Sequence, residues 1–326
     1  MEAVPLVRVV RAGLEESVHA GDVVIADGDG RVLASAGDAD RLVYARSSMK
    51  PLQASVSLSF CLYQFTDAEV SVMCASHNAE PIHVRTVRSL LARAGVEESA
   101  LQTPSVRPWD GETLAADPTC RPINSDCSGK HGGMLSACRA QEWPLESYRD
   151  PRHPLQRAVE DSVLVASGER RVRVGTDGCG VPVHGMPLRS MATIYARLAS
   201  PDRLGRLEPF ARRAVSAMRA EPYLVAGRNR PDTAIMREAD DVIAKGGAEG
   251  LMCAALVSRG VGIAVKIRDG GAGRASGPAL IRALAAFGVL SPEQLDRLAP
   301  FARPPVLGGG RPVGEIVADF GLDRAV

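Results

Sequence analysis

The sequence predicts an α+β protein in which strands from both chain ends form one antiparallel sheet around an inserted helical lobe. Short runs rich in β-branched residues occur in about the first forty residues and again over 251–267, and the segments between them read mostly as helices. Little strand–helix–strand alternation is present to support a parallel sheet. We therefore predict one domain over 1–326, with the sheet from about 1–45 and 245–326 and the mainly helical lobe over about 46–244.

The individual elements follow from local patterns. The strand-like runs are 7–10, 23–26, 31–36, 171–174, 251–257 and 261–267, with a final short strand after the Gly/Pro-rich connection 304–312. The candidate helices are 49–63, 81–95, 130–142, 154–167, 183–199, 203–220, 231–241, 276–288 and 292–299. Turn signals separate the strands, for example Asp27-Gly28-Asp29-Gly30 and Ser258-Arg259-Gly260.

Composition excludes several classes of protein. The 39 basic and 38 acidic residues give no positive field for nucleic acid or an anionic membrane. No stretch reaches the ~20 apolar residues of a membrane span, and the start Met1-Glu2-Ala3-Val4-Pro5 does not resemble a signal peptide. Seven scattered cysteines, an odd number, indicate reduced thiols. We expect a cytoplasmic enzyme.

The run Arg46-Ser47-Ser48-Met49-Lys50-Pro51 carries the strongest chemical signal. Ser47 and Lys50 are three residues apart before an apolar helical segment, so both side chains can share one helix face. A lysine whose pKa is lowered by burial or nearby positive charge can activate a serine nucleophile. The pattern is the Ser-x-x-Lys motif of penicillin-recognising hydrolases, although a solvated helix start is the alternative reading.

Two further segments contain reactive side chains but allow structural readings. Cys74 to Glu80 includes Ser76, which either faces the site as a second hydroxyl or belongs to a loop capping the next helix. Cys127-Ser128-Gly129-Lys130-His131 opens a helix and superficially resembles a phosphate loop. It lacks the spacing of that loop, and no strand precedes it, so we reject nucleotide binding.

Two later segments contain further candidate site residues. Glycines flank Cys179 in Asp177-Gly178-Cys179-Gly180, and Cys179 together with Cys127 would offer two soft ligands to zinc; two buried free thiols are the alternative. Lys266 interrupts an otherwise apolar strand, so it faces a polar cleft or extends from a sheet edge.

Taken together, these motifs resemble the rhizobial-type, thermolabile L-asparaginase family, whose fold is related to serine β-lactamases, penicillin-binding proteins and serine-dependent glutaminases. The resemblance extends over nearly the whole chain. Its specific segments are Cys127-Ser128-Gly129-Lys130-His131 and Lys245-Gly246-Gly247-Ala248-Glu249-Gly250, with support from Glu16 to Gly21 and Arg230-Pro231-Asp232-Thr233.

The resemblance implies roles for individual residues. Its two serine–lysine pairs correspond to Ser47 with Lys50 and Ser76 with Lys266, and its zinc ligands to Cys127, Lys130 and Cys179. Arg46, His131 and Asp177 correspond to residues that position substrate, and Cys253 to a cysteine lining the site. The implied reaction is hydrolysis of L-asparagine to L-aspartate and ammonia by a homodimer. Ser47 is the preferred nucleophile, and Ser76 is the alternative.

The same motifs also allow competing functions. A glutaminase, β-lactamase or esterase of the same fold would share the serine–lysine pairs, although the missing Ser-Asp-Asn and Lys-Thr-Gly boxes count against a β-lactamase. A non-catalytic protein that binds zinc or a small ligand would use Cys127 and Cys179 but would not need the serines. Ammonia release from asparagine and glutamine distinguishes these possibilities.

Overall fold

Strands from the two chain ends meet in one antiparallel sheet in the computed structural model, which describes residues 4–324. Met1, Glu2 and Ala3, which contribute to the prediction about a signal peptide, lie outside the described residues. The sheet together with the helices packed on it confirms the predicted α+β class.

The strands within residues 4–324 form two sheets. They are β1 (Val4–Arg11), β2 (Leu14–Asp27), β3 (Val32–Ala36), β4 (Leu42–Tyr44), β5 (Arg173–Thr176), β6 (Pro182–Pro187), β7 (Val242–Gly246), β8 (Leu251–Leu256), β9 (Val261–Ile267), β10 (Pro305–Gly308), β11 (Arg311–Ala318) and β12 (Asp323–Arg324). The main sheet has the order β10-β11-β1-β2-β9-β8-β7, with β3 on β2 and β12 on β3. A second sheet in the lobe has the order β4-β6-β5.

Helices make up most of the inserted lobe, and three further helices lie between β9 and β10. They are α1 (Lys50–Ser59), α2 (Asp67–Met73), α3 (Pro81–Arg93), α4 (Gly111–Ala116), α5 (Ser128–Ala140), α6 (Pro154–Ser167), α7 (Leu188–Ala199), α8 (Glu208–Ala220), α9 (Pro222–Ala226), α10 (Pro231–Glu238), α11 (Gly277–Ala286), α12 (Pro292–Arg297) and α13 (Ala299–Ala302). Short 3-10 turns cover Arg46–Met49, Glu98–Ala100, Pro122–Asn124, Pro201–Leu207 and Val257–Arg259, and a π turn covers Ala272–Ser276.

Helix α7 packs closely on the main sheet. A Cβ atom on Gly262 of β9 would lie 1.9 Å from the carbonyl oxygen of Ala192 on this helix, so only glycine permits the approach. Strand β8 is buried along its whole length, as expected for a strand covered on both faces. The sheet therefore gives β7 and β8 a rigid position beside the lobe.

Several predicted elements differ from the observed ones, among them the connection 304–312, which contains β10 and the first residues of β11 paired as a hairpin. The predicted helix 183–199 begins only at Leu188 because Pro182–Pro187 is the central strand of the lobe sheet, with a proline at each end. The predicted helix 203–220 is a 3-10 turn followed by α8, which begins at Glu208. Strand β7 was not predicted, because its last residues belong to a glycine-rich run that reads as a loop.

Candidate active site

Two buried lysines converge on one serine hydroxyl. The Oγ atom of Ser76 lies 2.9 Å from Lys50 Nζ and 2.8 Å from Lys245 Nζ, and both amines donate to it. Both lysine side chains have zero exposure. The chain contains only four lysines, Lys50, Lys130, Lys245 and Lys266. Because lysine is so scarce, a contact of two lysines with one hydroxyl would seldom arise by chance.

Three separate elements bring this cluster together. Lys50 is the first residue of α1, Ser76 follows the end of α2, and Lys245 lies in β7. The Ser76 N–H donates to Val225 O at 2.8 Å, which fixes the hydroxyl beside the lysines. Lys50 also donates to Ala75 O at 2.6 Å and to Asp126 O at 3.2 Å. Lys50 is therefore held in place by hydrogen bonds to two backbone carbonyls as well as to Ser76.

The two serines before Lys50 occupy different environments. Ser47 is partly exposed, whereas Ser48 is buried and its Oγ donates to Lys245 O at 3.1 Å. Tyr195 OH donates to Ser48 O at 2.7 Å, which anchors the 3-10 turn. Among residues 4–324 no hydrogen bond joins Ser47 Oγ to Lys50 Nζ, so the expected pair shares one turn without a direct bond. Of the two serines, Ser47 is the one that solvent reaches.

The residue before Ser47 has an unusual backbone. Arg46 has φ of +44°, in the left-handed region that side chains other than glycine seldom adopt. Strain of this kind is concentrated at functional sites, where the surrounding contacts maintain it. Here Arg46 Nε donates to Asp177 Oδ1 at 2.7 Å, and Arg46 Nη1 lies 3.8 Å from Glu249 Oε1. Arg46 and Asp177, both expected to position substrate, therefore form an ion pair beside Ser47.

The expected pairing of Ser76 with Lys266 is wrong, because Lys245 occupies that position. Lys266 is the partner of Asp22 in the sheet register, and its Nζ donates to the backbone carbonyl of Glu249. Lys245 is the better counterpart of the Lys-Thr-Gly box, since it is the next-to-last residue of β7 and is followed by two glycines. The apolar run Val242-Ile243-Ala244 before Lys245 was the available sequence signal for this strand.

Burial changes the proton affinity of Lys245. Desolvation lowers the pKa of Lys245 to about 8, Asp232 opposes this shift, and the positive charge of Lys50 adds to it. An ammonium group on Lys50 beside the same hydroxyl repels one on Lys245. Lys245 can therefore lose its proton close to neutral pH.

A second cluster contains the three expected zinc ligands. Lys130 Nζ lies 2.9 Å from Cys179 Sγ, and the Cys127 thiol donates a hydrogen bond to the same sulfur. This bond and the charge of Lys130 lower the pKa of Cys179, while the pKa of Cys127 is raised. Gly129 makes the arrangement possible, because a Cβ there would lie 2.0 Å from Val72 O on α2. The chain thus places two sulfurs and one amine at a single buried point.

The cluster contains the three side chains that the family resemblance implies as zinc ligands. Thiols are ligands that zinc accepts, but the lysine fits less simply: burial opposes its charge, yet Cys179 and Cys127 raise the pKa of Lys130, so the amine would have to lose a proton before it could bind a metal. The neighbouring His131 is fully buried, and among the described residues its Nε2 has no hydrogen-bond partner within the geometric limits. Within residues 4–324, however, no group of three or more His, Cys, Asp or Glu side chains could hold a metal ion, so any zinc here must use the lysine.

The last two expected site residues are fully buried. His131 Nδ1 lies 2.6 Å from Tyr148 OH, and its ring also contacts Cys179. Cys253 of β8 is the register partner of Lys245 and interacts with Ser48, and burial raises its pKa to about 12. Both residues pack against the two clusters on their buried side. Neither exposes surface that a substrate could contact.

Comparison with known proteins defines the class of this protein, which is an amidohydrolase. A family model described as L-asparaginase II matches residues 7–318, so the chain belongs to this family and the expected family is confirmed. No curated protein sequence matches the chain significantly.

Solved structures resemble the chain only distantly. A β-lactamase from Mycobacterium bovis aligns with a TM-score of 0.46 and 16% identity, covering 83% of this chain and 95% of its own. A glutaminase from Bacillus subtilis, solved as a covalent complex with 5-oxo-L-norleucine, aligns with a TM-score of 0.43 and 14% identity, covering 83% of this chain and 89% of its own. In the described part of the chain, no helix is long and apolar enough to cross a membrane.

Proposed function

We propose that this protein hydrolyses the side-chain amide of L-asparagine to L-aspartate and ammonia through an acyl-enzyme on Ser47. The observation that carries the proposal is that Lys50, three residues after Ser47, converges with Lys245 on the hydroxyl of Ser76. A buried lysine pair that can hold a single proton supplies both a base and a neighbouring cation.

The proposed reaction begins with Lys50 in its neutral form. Lys50 accepts the proton of Ser47, either directly or through the Ser76 hydroxyl, while Ser47 Oγ forms a bond to the amide carbon. The N–H of Ser47, at the start of its 3-10 turn, has no acceptor within the helix and is available to the oxyanion. The proton then passes to the amide nitrogen, the C–N bond breaks, and ammonia leaves. Water finally hydrolyses the ester and restores Ser47.

The charged side chains around Ser47 suit an α-amino acid. The carboxylates of Asp177 and Glu249 would attract its ammonium group, and the guanidinium of Arg46 its carboxylate. Rates of ammonia release from asparagine and glutamine, run beside hydrolysis of a chromogenic β-lactam, test this choice. Faster turnover of glutamine or the β-lactam would replace asparagine as the substrate.

We expect kcat/KM to rise with pH through a pKa of about 8. The reason is that the two lysines on Ser76 can take up a further proton only after one of them has lost its own, and burial lowers the pKa of Lys245 to about 8. The measurement is kcat/KM from about pH 6 to about pH 10 with stability checked at each pH. A profile that is flat across this range contradicts the role of the pair.

We also propose that Cys127, Lys130 and Cys179 hold zinc, which when bound would supply a fixed positive charge beside the site. Purified protein is expected to contain zinc in roughly equimolar amount, and Cys127→Ser and Cys179→Ser are expected to lose it. Elemental analysis measures the metal, and Cys120→Ser, at an exposed cysteine, is the control. Zinc retained by both ligand variants would refute this site.

The remaining proposals concern assembly and location. We propose that the protein is a cytoplasmic homodimer, on the basis of the family resemblance. Light scattering on the purified protein tests the dimer, and fractionation of cells tests the location. A monomeric mass or recovery in the membrane fraction would overturn the corresponding proposal.

A further inference from the structure

The segment Arg230-Pro231-Asp232-Thr233 has no role in the proposed reaction, yet it lies against Lys245. Asp232 Oδ1 is 3.8 Å from Lys245 Nζ, and both side chains are almost completely buried, with 1% and zero exposure. We propose that Asp232 is a positioning residue that holds Lys245 against Ser76 and balances the charge of the lysine pair. This inference rests on the proposed function and deepens it.

Asp232 fixes the backbone beside Lys245 as well as its side chain. Its Oδ1 accepts the N–H of Gly246 at 2.5 Å, at the residue that follows Lys245 in β7. A Cβ on Gly246 would lie only 3.2 Å from the same oxygen, so the glycine permits this close contact. The carboxylate itself is held in the first turn of α10, where the helix N-terminus favours negative charge. One side chain thus connects α10 to the strand that carries Lys245.

The charges facing Lys245 come from four places. Asp232 lies on α10, Lys50 on α1, Arg230 just before α10, and Asp126 just before α5. Lys50 and Arg230 disfavour a proton on Lys245, whereas Asp232 and Asp126 favour it, and Asp232 has the larger effect. Two thiols, Cys74 and Cys253, also face the lysine, but burial raises the pKa of each to about 12 and leaves them neutral.

Burial and ion pairing together define the state of Asp232. Burial opposes its ionisation, but Lys245 and Arg230 lower the pKa of Asp232 overall. The buried carboxylate is therefore an anion that the two cations stabilise. Removing its charge would leave Lys245 facing the like charges of Lys50 and Arg230, opposed only by the weaker effect of Asp126. Lys245 would then lose its proton more readily.

The test compares Asp232→Asn, which keeps an oxygen for Gly246 but removes the charge, with Asp232→Glu, which keeps the charge. In Asp232→Asn the rise of kcat/KM with pH, the acid limb of the profile, is expected to move to lower pH by roughly one unit. The same variant is expected to lower kcat more than it changes KM. Asp232→Glu is expected to keep the limb at its wild-type pH with a reduced kcat. Asp161→Asn, at an exposed carboxylate on α6, is the matched control.

A second readout works without activity. Because the chain has four lysines, carbon-13 labelling at lysine Cε gives few NMR signals, and Lys245→Met assigns the one of interest. Its titration midpoint is expected to fall in Asp232→Asn. An unchanged midpoint in the folded variant overturns the inference, even if the enzyme is active. A shifted midpoint in a protein that does not hydrolyse asparagine supports Asp232 and refutes only the proposed function.

If Asp232→Asn does not fold, Asp232→Glu tests the positioning role of Asp232. A retained acid limb with a lower kcat then supports positioning by Asp232, because the charge is present but its geometry has changed. A kcat and a limb that both match the wild type overturn it.

Discussion

Replacing Ser47 by alanine is expected to lower kcat for asparagine by about 10⁴-fold or more, because the proposed reaction forms its covalent bond at Ser47 Oγ. Losses of this size follow removal of a nucleophile when the rest of the site remains intact. Ser47 is partly exposed and its Oγ bonds to no lysine, so its loss should leave the stability of the fold almost unchanged. The measurement is ammonia release together with the thermal unfolding midpoint.

Ser48→Ala is the matched control for this experiment. Ser48 is adjacent in the chain, but its Oγ is buried and donates to Lys245 O, so we expect a decrease of about tenfold at most. Mass spectrometry after reaction with a diazoketone analogue of asparagine then locates the covalent adduct. An adduct on Ser47 supports the proposal. An adduct on Ser76, with activity surviving in Ser47→Ala, transfers the nucleophile to Ser76.

Replacing Lys245 by methionine is expected to reduce kcat by about 10³-fold, within the range for loss of a general acid–base group. Lys245 is one of the two lysines that donate to Ser76 Oγ, and methionine removes both its proton and its hydrogen bond. Lys266→Met is the matched control, because Lys266 bonds to the backbone of Glu249 and not to Ser76. Near-normal activity is expected for that variant.

Stability separates the chemical role of Lys245 from a structural one. Lys245→Met leaves the buried Asp232 carboxylate without its nearest cation, which typically costs about 3–5 kcal/mol in the free energy of unfolding. The double variant Asp232→Asn/Lys245→Met removes both charges and should recover much of that loss while remaining inactive. Chemical denaturation measures both effects. If Lys266→Met abolishes activity and Lys245→Met does not, the site assignment made here is wrong.

Much of the fold was predictable because its signals are local. β-branched runs near both chain ends predicted the strands of the main sheet, and the spacing of Ser47 and Lys50 placed both on one turn. The elements that were missed depend on tertiary contacts. Pro182–Pro187 is a strand because it pairs with β4 and β5, and Val242–Gly246 because it pairs with β8. Neither pairing leaves a periodic pattern in so short a segment.

The α+β class, the family and one lysine of the candidate site were predictable from the sequence, since each depends on motifs of a few adjacent residues. That Ser76 lies between Lys50 and Lys245, and that Lys266 bonds instead to the backbone of Glu249, follows from the tertiary structure alone. Lys245 and Ser76 are 169 positions apart. Their meeting depends on where β7 lies beside the lobe and on the Asp232 carboxylate that holds its end. No local spacing encodes that arrangement, because it results from the packing of several elements at once.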